Sequence, residues 1–415
     1  MNQIIPQGSI SQTDTPFIGL APFLRMSIAG EDIQATGQEL LERIQHCPDD
    51  ANLWMNLSTA MFCLEKSQLG LSIQSEALAM TPVYSLAAAQ QPARLTVLML
   101  MAPGDLAANT PLDCLLENSD IDLIFYYLQD TDPVGPFVAP LPVHDILLVA
   151  LSETDENREL LSFLETCLVN WPVPVINAPQ CIPNVGRNVA CTLLNGAPGL
   201  TIPPSYRIAR QPLEALAKEA ASLSNLIENC NFPVILRPID SHAGRDLAKI
   251  SDPAELSDYL SRVADDEFFI SEFIDYRSPD GLFRKFRVAL IDGVPYACHM
   301  AVSEHWMVHY VNAGMYEEAA KRLEEERFME NFAAFSLQHQ AALSAIHQRT
   351  GLDYFCLDGA EMPNGELLIF EIDHAMVVHA MDSLELFPYK QRHMHKVKAA
   401  FREFLLRRQA EGLAP

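Results

Sequence analysis

The spacing of apolar and polar residues changes near residue 94. Before it, runs at 38–44, 54–64 and 71–80 carry apolar side chains at the three- and four-residue intervals of amphipathic helices. Pro48 separates the first two runs and Pro82 follows the third. Because proline interrupts helices, the pattern predicts several separate helices in the N-terminal segment.

The N-terminal segment also resembles part of a tetratricopeptide repeat. Pro48 and Pro82 lie 34 residues apart, which is the period of that repeat, and Trp54, Leu57 and Ala77 match its pattern. The resemblance covers barely one repeat, whereas such arrays need about three units to bury their faces. We therefore predict a scaffold that docks on the rest of the chain, or on a second copy in a homodimer, rather than a groove for a peptide.

Beyond residue 94 the pattern predicts strands that alternate with helices, and then hairpins. Strands are predicted at 95–101, 121–127, 145–151 and 173–177, with a helix at 157–169. This alternation is typical of a small parallel α/β domain, and the loop with Pro203 and Pro204 predicts a boundary near residue 205. A helix at 212–228, strands at 234–237 and 247–250, a helix at 254–262 and hairpins follow, which indicates an α+β arrangement.

Composition limits the function classes. A chain of 415 residues exceeds the size of one hydrophobic core, so two or three domains are expected. The formal charge of −26 argues against binding to nucleic acid, which depends on Lys and Arg. The nine cysteines show no paired spacing, and no signal peptide or membrane span is recognisable. We expect a cytoplasmic protein that binds neither nucleic acid nor membrane.

The C-terminal part contains a predicted hairpin with three acidic residues. The runs 354–361 and 367–373 flank Asn364-Gly365, a strong signal for a two-residue turn. Such a turn places Asp358 directly opposite Glu371, with Cβ atoms roughly 5 Å apart. Asp373 follows two residues later and so lies on the same face.

Carboxylates that converge on one sheet face repel each other unless a cation lies between them. Mg²⁺ typically takes one or two carboxylates together with phosphate oxygens and water, and Mn²⁺ is an alternative. The residues around these acids are mainly apolar, so a solvated acidic surface is the less favoured interpretation. The pattern predicts a metal site formed by Asp358, Glu371 and Asp373.

The segment GLDYFCLDGAEMPNGELLIFEIDH resembles the last metal-binding hairpin of ATP-grasp ligases, of the kinds that join D-alanine or extend peptides. Asp373 stands where that family has Asn. The resemblance implies α/β and α+β multidomain architecture. The expected domains are a helical segment (1–90), a pre-ATP-grasp α/β domain (91–205), and two ATP-grasp subdomains (206–272 and 273–415, the latter with the metal site).

The same resemblance extends over about 230 residues upstream and implies an ATP site. Arg187 and Arg237 stand where the family uses Lys to hold phosphates, and a small-residue loop would cover the phosphates. The end of the strand at 268–274 resembles the segment that meets adenine. The implied ATP-binding residues are Arg187, Arg237, Ser241, His242, Gly244, Arg245, Glu272, Phe273 and Ile274.

A second hairpin is predicted around Asp292-Gly293. It resembles the strand whose Arg faces the transferred phosphate, so Arg287 is a candidate catalytic residue. A regular turn places Arg287 opposite Cys298 and sends His299 to the other face, unless a bulge shifts the register. His299 is thus a weaker catalytic candidate. Lys285 stands where relatives often carry an acid that contacts ribose.

A polar and aromatic stretch, 303–314, follows this hairpin. In similar peptide ligases it lies beside the acceptor, so Asn312 is a candidate contact. For the nearby His305 and His309, ordinary surface or core polarity is the favoured interpretation.

The activity that the resemblance implies is ATP-dependent ligation. A carboxylate would be phosphorylated to an acyl phosphate and then attacked by an amine, with release of ADP and phosphate. The substrates would be small-molecule or peptide carboxylates and amines. Two alternatives remain: a kinase of the same fold, and a nucleotide-binding scaffold without turnover.

Overall fold

The chain is described by a computed structural model that covers residues 15–129, 137–218, 221–227, 230–239, 241 and 244–412. The predicted ATP-binding residue His242 lies outside the described residues. Within them, no helix is long and apolar enough to cross a bilayer. All nine cysteines are free thiols.

Four helices open the described chain. They are α1 (Ala21–Ala29), α2 (Ile33–His46), α3 (Ala51–Cys63) and α4 (Ser67–Met80). Asp32 and Asp50 cap α2 and α3 by accepting backbone N–H bonds. The helices dock within the same chain: buried Asp113 accepts hydrogen bonds from the Leu20 and Ala21 N–H groups. The helical prediction is confirmed, whereas the tetratricopeptide-like character is not.

The first sheet is mainly parallel, as predicted. Its segment contains β1 (Val83–Leu86), β2 (Leu95–Met101), α5 (Leu112–Leu115), β3 (Ile121–Tyr127), β4 (Ile146–Val149), α6 (Arg158–Leu168), β5 (Val175–Ile176), α7 (Arg187–Leu193) and β6 (Leu200–Thr201). The strand order is β1-β3-β2-β4-β5, with only β1 antiparallel. Strands β2, β3 and β4 are almost wholly buried, which explains their continuous apolar runs.

The second sheet is small and antiparallel. Its segment contains β7 (Ser205–Ala209), α8 (Arg210–Ala217), α9 (Leu223–Leu226), β8 (Val234–Pro238), β9 (Ala248–Ile250), α10 (Pro253–Arg262) and β10 (Glu267–Glu272). The strand order is β7-β10-β8-β9. Apolar side chains of the strands and helices form a separate core around Leu236 and Phe268. Two short helices replace the single helix that was predicted at 212–228.

The third sheet carries both predicted hairpins. Its segment contains β11 (Phe283–Ile291), β12 (Val294–Ser303), α11 (Ala319–Glu330), α12 (Phe332–Gln338), α13 (Gln340–Thr350), β13 (Tyr354–Glu361), β14 (Leu367–Asp373) and α14 (Lys390–Gly412). The strand order is β12-β11-β13-β14-β6, so β6 adds a parallel strand to the edge. This mixture of a parallel α/β sheet and two α+β sheets confirms the predicted fold class.

The first and third sheets are tied together. Arg402 on α14 pairs with Asp120 at 2.6 Å, and the Asn177 amide donates to the Tyr354 carbonyl at 2.8 Å. The second sheet lies across a cleft from the third. The candidate site occupies this cleft.

Candidate active site between the second and third sheets

A cavity of about 450 Å³ lies between these two sheets. Among the described residues, four cationic and three acidic side chains line it. The cations are Arg187, Arg237, Lys285 and Arg287, and the acids are Glu272, Asp358 and Glu371. This excess of cations, in a chain whose net charge is −26, favours anionic ligands at this place.

Asp358 and Glu371 are direct cross-strand partners, as predicted, although the turn differs from the prediction. Glu361 pairs with Leu367 and the Met362 N–H donates to the Glu366 carbonyl, which leaves a three-residue turn. Gly365 alone in this turn has a positive φ, +85°. The register then shifts by one residue between Asp358 and Gly359, and this bulge restores the predicted pair.

Asp358 is buried and ion-paired with two cations. Arg287 binds it through two nitrogens, Nε to Oδ1 at 2.7 Å and Nη2 to Oδ2 at 3.0 Å. The Lys285 Nζ lies 2.7 Å from Oδ2. Burial alone would raise the pKa of Asp358, but Arg287 and Lys285 hold it well below its usual range. The carboxyl group is therefore ionised.

Glu371 is paired with Arg187, which begins α7 and also donates to the Phe370 carbonyl at 3.1 Å. Burial opposes ionisation of Glu371, yet Arg187 and Arg237 lower its pKa. Asp373, by contrast, does not line the cavity. Its Oδ1 accepts the Ala375 N–H at 2.8 Å and lies 3.7 Å from the His374 ring.

The predicted three-carboxylate metal site is therefore not assembled as expected. Among the described residues, no group of three or more His, Cys, Asp or Glu side chains is arranged to hold a metal ion. Asp358 and Glu371 nevertheless oppose each other at the cavity wall, and such a pair fits Mg²⁺ when phosphate and water supply the remaining oxygens. Two of the three predicted carboxylates therefore lie where they could serve such an ion, and Asp373 does not.

The loop that is predicted to cover the phosphates is described at Ser241 and at residues 244–247. Arg237, at the end of β8, donates from Nε to the Ser241 hydroxyl at 3.1 Å. Burial, aided by the neighbouring Arg187, lowers the pKa of Arg237 to about 10, so it stays charged near neutral pH. Gly244 lines the cavity, whereas Arg245 does not; Arg245 is exposed and lies 3.7 Å from Asp246.

The predicted adenine-contacting residues Glu272, Phe273 and Ile274 all line the cavity. The Phe273 N–H donates to the Pro233 carbonyl at 3.0 Å, so this amide is already used within the second sheet. Trp306 packs edge-on against the Phe273 ring, with the centroids 5.7 Å apart.

A bulge brings His299 to the cavity. The Asp292-Gly293 turn has the expected positive φ values, +50° and +75°. The register shifts between Arg287 and Val288, so Arg287 pairs with His299 rather than with Cys298. The prediction that His299 lies on the opposite face is therefore wrong. Burial, reinforced by Arg287 and Lys390, keeps the pKa of His299 well below its usual range and the ring neutral.

Asn312 is exposed and does not line the cavity. Its side-chain oxygen accepts the His309 N–H at 3.1 Å, so it caps a short 3-10 turn. The structure thus gives Asn312 a local structural contact and no place at the candidate site.

Sequence analysis singled out the stretch 303–314 but chose Asn312 within it, whereas the residues that line the cavity are 306–311. This segment reaches the second sheet at two places: Trp306 meets Phe273, and His309 lies against Gly244. A Cβ atom on Gly244 would fall 2.3 Å from His309 Nε2. The concentration of aromatic and polar residues in this stretch was the available signal.

A buried polar network lies behind the cavity wall. Tyr310 lines the cavity, and its ring lies 5.1 Å from the His299 ring. Its hydroxyl donates to Glu325 at 2.8 Å and accepts from Lys390 at 2.5 Å. Glu325 also accepts the Tyr389 hydroxyl at 2.6 Å. Because Glu325 and Lys390 are both buried, this network fixes Tyr310 from behind.

No protein-family model matches the chain. Among solved structures, it is similar to the VanG D-Ala:D-Ser ligase from Enterococcus faecalis, with 15% identity, a TM-score of 0.45, and coverage of 75% of this chain and 99% of that one. The ATP complex of D-alanine–D-alanine ligase from Bacillus anthracis has 14% identity, a TM-score of 0.45, and coverage of 76% and 99%. A RimK domain ATP-grasp protein from Sphaerobacter thermophilus has 15% identity, a TM-score of 0.41, and coverage of 75% and 99%.

Proposed function

We propose that this chain is an ATP- and Mg²⁺-dependent ligase that joins a carboxylate to an amine through an acyl phosphate. The observation that carries the proposal is the pair of opposed carboxylates, Asp358 and Glu371, in a cavity with four cationic side chains. Cations at such density suit the phosphates of a nucleotide, and the carboxylates suit the metal that accompanies them. Several residues of the motifs that resemble ATP-grasp ligases line this same cavity, among them Arg187, Arg237 and Arg287.

In the first step, a carboxylate oxygen of the substrate would attack the γ-phosphorus, and the bond from that phosphorus to the bridging oxygen of ADP would break. The phosphoryl group needs little covalent help from protein side chains, because positioning and charge stabilisation supply most of the catalysis. Arg287 suits this task, since Asp358 and the Val377 carbonyl fix its guanidinium. When bound by Asp358 and Glu371, Mg²⁺ would neutralise phosphate charge.

In the second step, the amine nitrogen would attack the acyl carbon, and the bond from that carbon to the phosphate oxygen would break. The nitrogen must give up a proton as the amide forms. His299 is neutral and lines the cavity opposite Arg287, so we assign it as the group that accepts this proton. Trp306 and His309, which span the cleft, would exclude water that hydrolyses an acyl phosphate.

ATP-dependent ADP release in a screen of amino-acid and peptide pairs tests the proposal. Activity should require both a carboxylate and an amine, and hydroxylamine should trap the acyl phosphate as a hydroxamate. A kinase of the same fold would release ADP without forming a hydroxamate. Glu371→Gln should remove the activity, while Glu385→Gln, at an exposed position, serves as the matched control. Unchanged turnover in Glu371→Gln would overturn the assignment of the metal site.

A further inference from the structure

Lys285 and Arg287 bind Asp358 in different ways. Arg287 is held at three points: two nitrogens contact Asp358, and Nη1 donates to the Val377 carbonyl at 3.2 Å. Within the described part of the chain, the Lys285 ammonium contacts one acceptor, Asp358 Oδ2 at 2.7 Å. Lys285 also lines the cavity, on the same face of β11 as Arg287. Arg287 is therefore fixed, whereas Lys285 can leave Asp358 without losing another hydrogen bond.

The two cations already compensate the charge of Asp358. A divalent ion approaching this carboxylate would meet the Lys285 ammonium at Oδ2 and Arg287 at both oxygens. Like charges at such distances repel strongly in a partly buried site. Glu371 is similarly paired with Arg187. Without an anionic ligand, both oxygens of Asp358 and the Oε1 atom of Glu371 therefore already contact cations.

We propose that Lys285 is a positioning residue that keeps Asp358 closed to metal until nucleotide phosphate draws its ammonium away. This inference rests on the proposed ATP- and Mg²⁺-dependent function. Lysine suits the role because its compact charge sits on a flexible stem, whereas the planar arginine fork is held in one geometry. The phosphate would take the ammonium, and a divalent ion would replace it beside Asp358, so the carboxylate would keep a cationic partner throughout. Metal and nucleotide therefore bind together.

Titration of Mn²⁺ into the nucleotide-free full-length chain tests the inference, with binding measured as loss of the electron paramagnetic resonance signal of the free ion. Lys285→Met removes the charge and keeps much of the stem. We expect this variant to bind one Mn²⁺ about tenfold or more tightly than the wild type. Lys285→Arg keeps the positive charge and should therefore bind Mn²⁺ as weakly as the wild type does. Lys396→Met removes one charge at an exposed position of α14 and should behave as the wild type.

A double variant identifies the ion's position. Lys285→Met with Asp358→Asn should lose the gained Mn²⁺ affinity, because the carboxylate that Lys285 no longer contacts is then absent. Equal Mn²⁺ affinity in Lys285→Met and in the wild type, with both folded by circular dichroism, would overturn the inference. Gained affinity that survives Asp358→Asn would also overturn it, since the ion would then lie elsewhere.

Adding a non-hydrolysable ATP analogue separates this inference from the proposed function. The wild type should retain Mn²⁺ tightly when the β,γ-imido analogue is present. If the wild type binds Mn²⁺ equally well with and without the analogue, Lys285 does not control the site, while the proposed function stands. If the analogue recruits no Mn²⁺ to the wild type or to Lys285→Met, both the inference and the proposed function fail.

Discussion

Arg287 and His299 face each other across β11 and β12 because a bulge lies between Arg287 and Val288. Cys298, which a regular hairpin would place opposite Arg287, is instead buried in the hydrophobic core. One extra residue therefore decides whether an imidazole or a thiol shares the cavity wall with Arg287.

Replacement of His299 should affect turnover more than nucleotide binding. We expect His299→Ala to lower kcat by about 10²-fold, the usual scale for loss of a positioned proton-transfer group, with little change in the KM for ATP. Steady-state kinetics with an identified substrate pair would measure both. Cys298→Ala, next in sequence but outside the cavity lining, should keep kcat near the wild-type value. An unchanged kcat in His299→Ala would show that His299 takes no part in proton transfer.

Asp358 and Asp373 should differ in their importance for metal use. Asp358→Asn should lower activity on the order of 10²-fold, because it removes an anionic ligand and the partner of Arg287. Asp373→Asn should stay close to wild type in its dependence on Mg²⁺ concentration, since Asp373 does not line the cavity. Activity measured across a Mg²⁺ series would compare them. If Asp373→Asn needed a much higher Mg²⁺ concentration for activity, Asp373 would be a metal ligand after all.

Gly244 should be sensitive to any side chain. Gly244→Ala places a Cβ 2.3 Å from His309 Nε2 and also strains a backbone with φ of +74°. We expect weaker binding of ATP analogues, measured by calorimetry. Gly281 has a φ of +88°, and no atom lies within 4 Å of the position that a Cβ would take there. The only cost of Gly281→Ala is therefore the backbone strain, which should lower the unfolding free energy by about 1 kcal/mol.

A second variant separates the clash of Gly244→Ala from its strain. His309→Ala combined with Gly244→Ala should recover part of the lost nucleotide affinity, because the imidazole that the new methyl group meets is then absent. No recovery would mean that the effect of Gly244→Ala arises from the backbone alone.

Removal of the buried Glu325 should strongly destabilise the fold. Glu325→Ala leaves the buried Lys390 with Asp382, 3.3 Å away, as its remaining carboxylate. Breaking such a buried pair costs about 3–5 kcal/mol of unfolding free energy. Urea denaturation would measure it. Glu330→Ala, on the same helix, removes a surface ion pair with Arg392 and should cost about 1 kcal/mol or less. Equal losses of unfolding free energy in the two variants would contradict this prediction.

His144 should make stability depend on pH. Burial lowers its pKa in the folded state, although the Pro142 carbonyl and Asp145 partly oppose this. The Trp171 indole N–H donates to His144 Nε2 at 3.2 Å, and that bond requires the neutral ring. Because the unfolded chain binds the proton more readily, the stabilisation is present above the unfolded pKa of about 6.5 and is lost as pH falls towards the folded value.

Unfolding followed by tryptophan fluorescence at pH 7.5 and pH 5.5 would test this effect. We expect the stability advantage of the wild type over His144→Gln to shrink at the lower pH. An advantage that grows on acidification would mean that the folded state favours the charged ring.

The strand bounds were largely predictable from sequence. The predicted runs 354–361 and 367–373 coincide with β13 and β14, because their apolar stretches are continuous and end at turn residues. The pairing of Asp358 with Glu371 was also predicted, but through two errors that cancel. The turn has one residue more than expected, and the bulge at Phe370 compensates for it.

The positions of the bulges could not be predicted from the sequence because bulges arise from packing between strands. At Gly359, a Cβ would lie 2.7 Å from the Leu368 carbonyl oxygen, which shows how closely the two backbones approach. Such contacts depend on residues distant in sequence, and local propensity does not encode them. The same limit explains why the prediction of the turn at Asp292 was correct, whereas the prediction of the sheet face on which His299 lies was wrong.

The ties between the first and third sheets determine which contacts remain to hold the cleft together. Arg402 binds Asp120, and Asn177 binds Tyr354. The first and third sheets therefore form one connected unit, which carries the carboxylates of Asp358 and Glu371. The second sheet meets this unit at more than one place: Arg207 pairs with Asp155, and the contacts of Trp306 and His309 bridge the cleft. Under the proposed function, opening of the cleft for substrate entry and product release should therefore break the contacts of Trp306 with Phe273 and of His309 with Gly244.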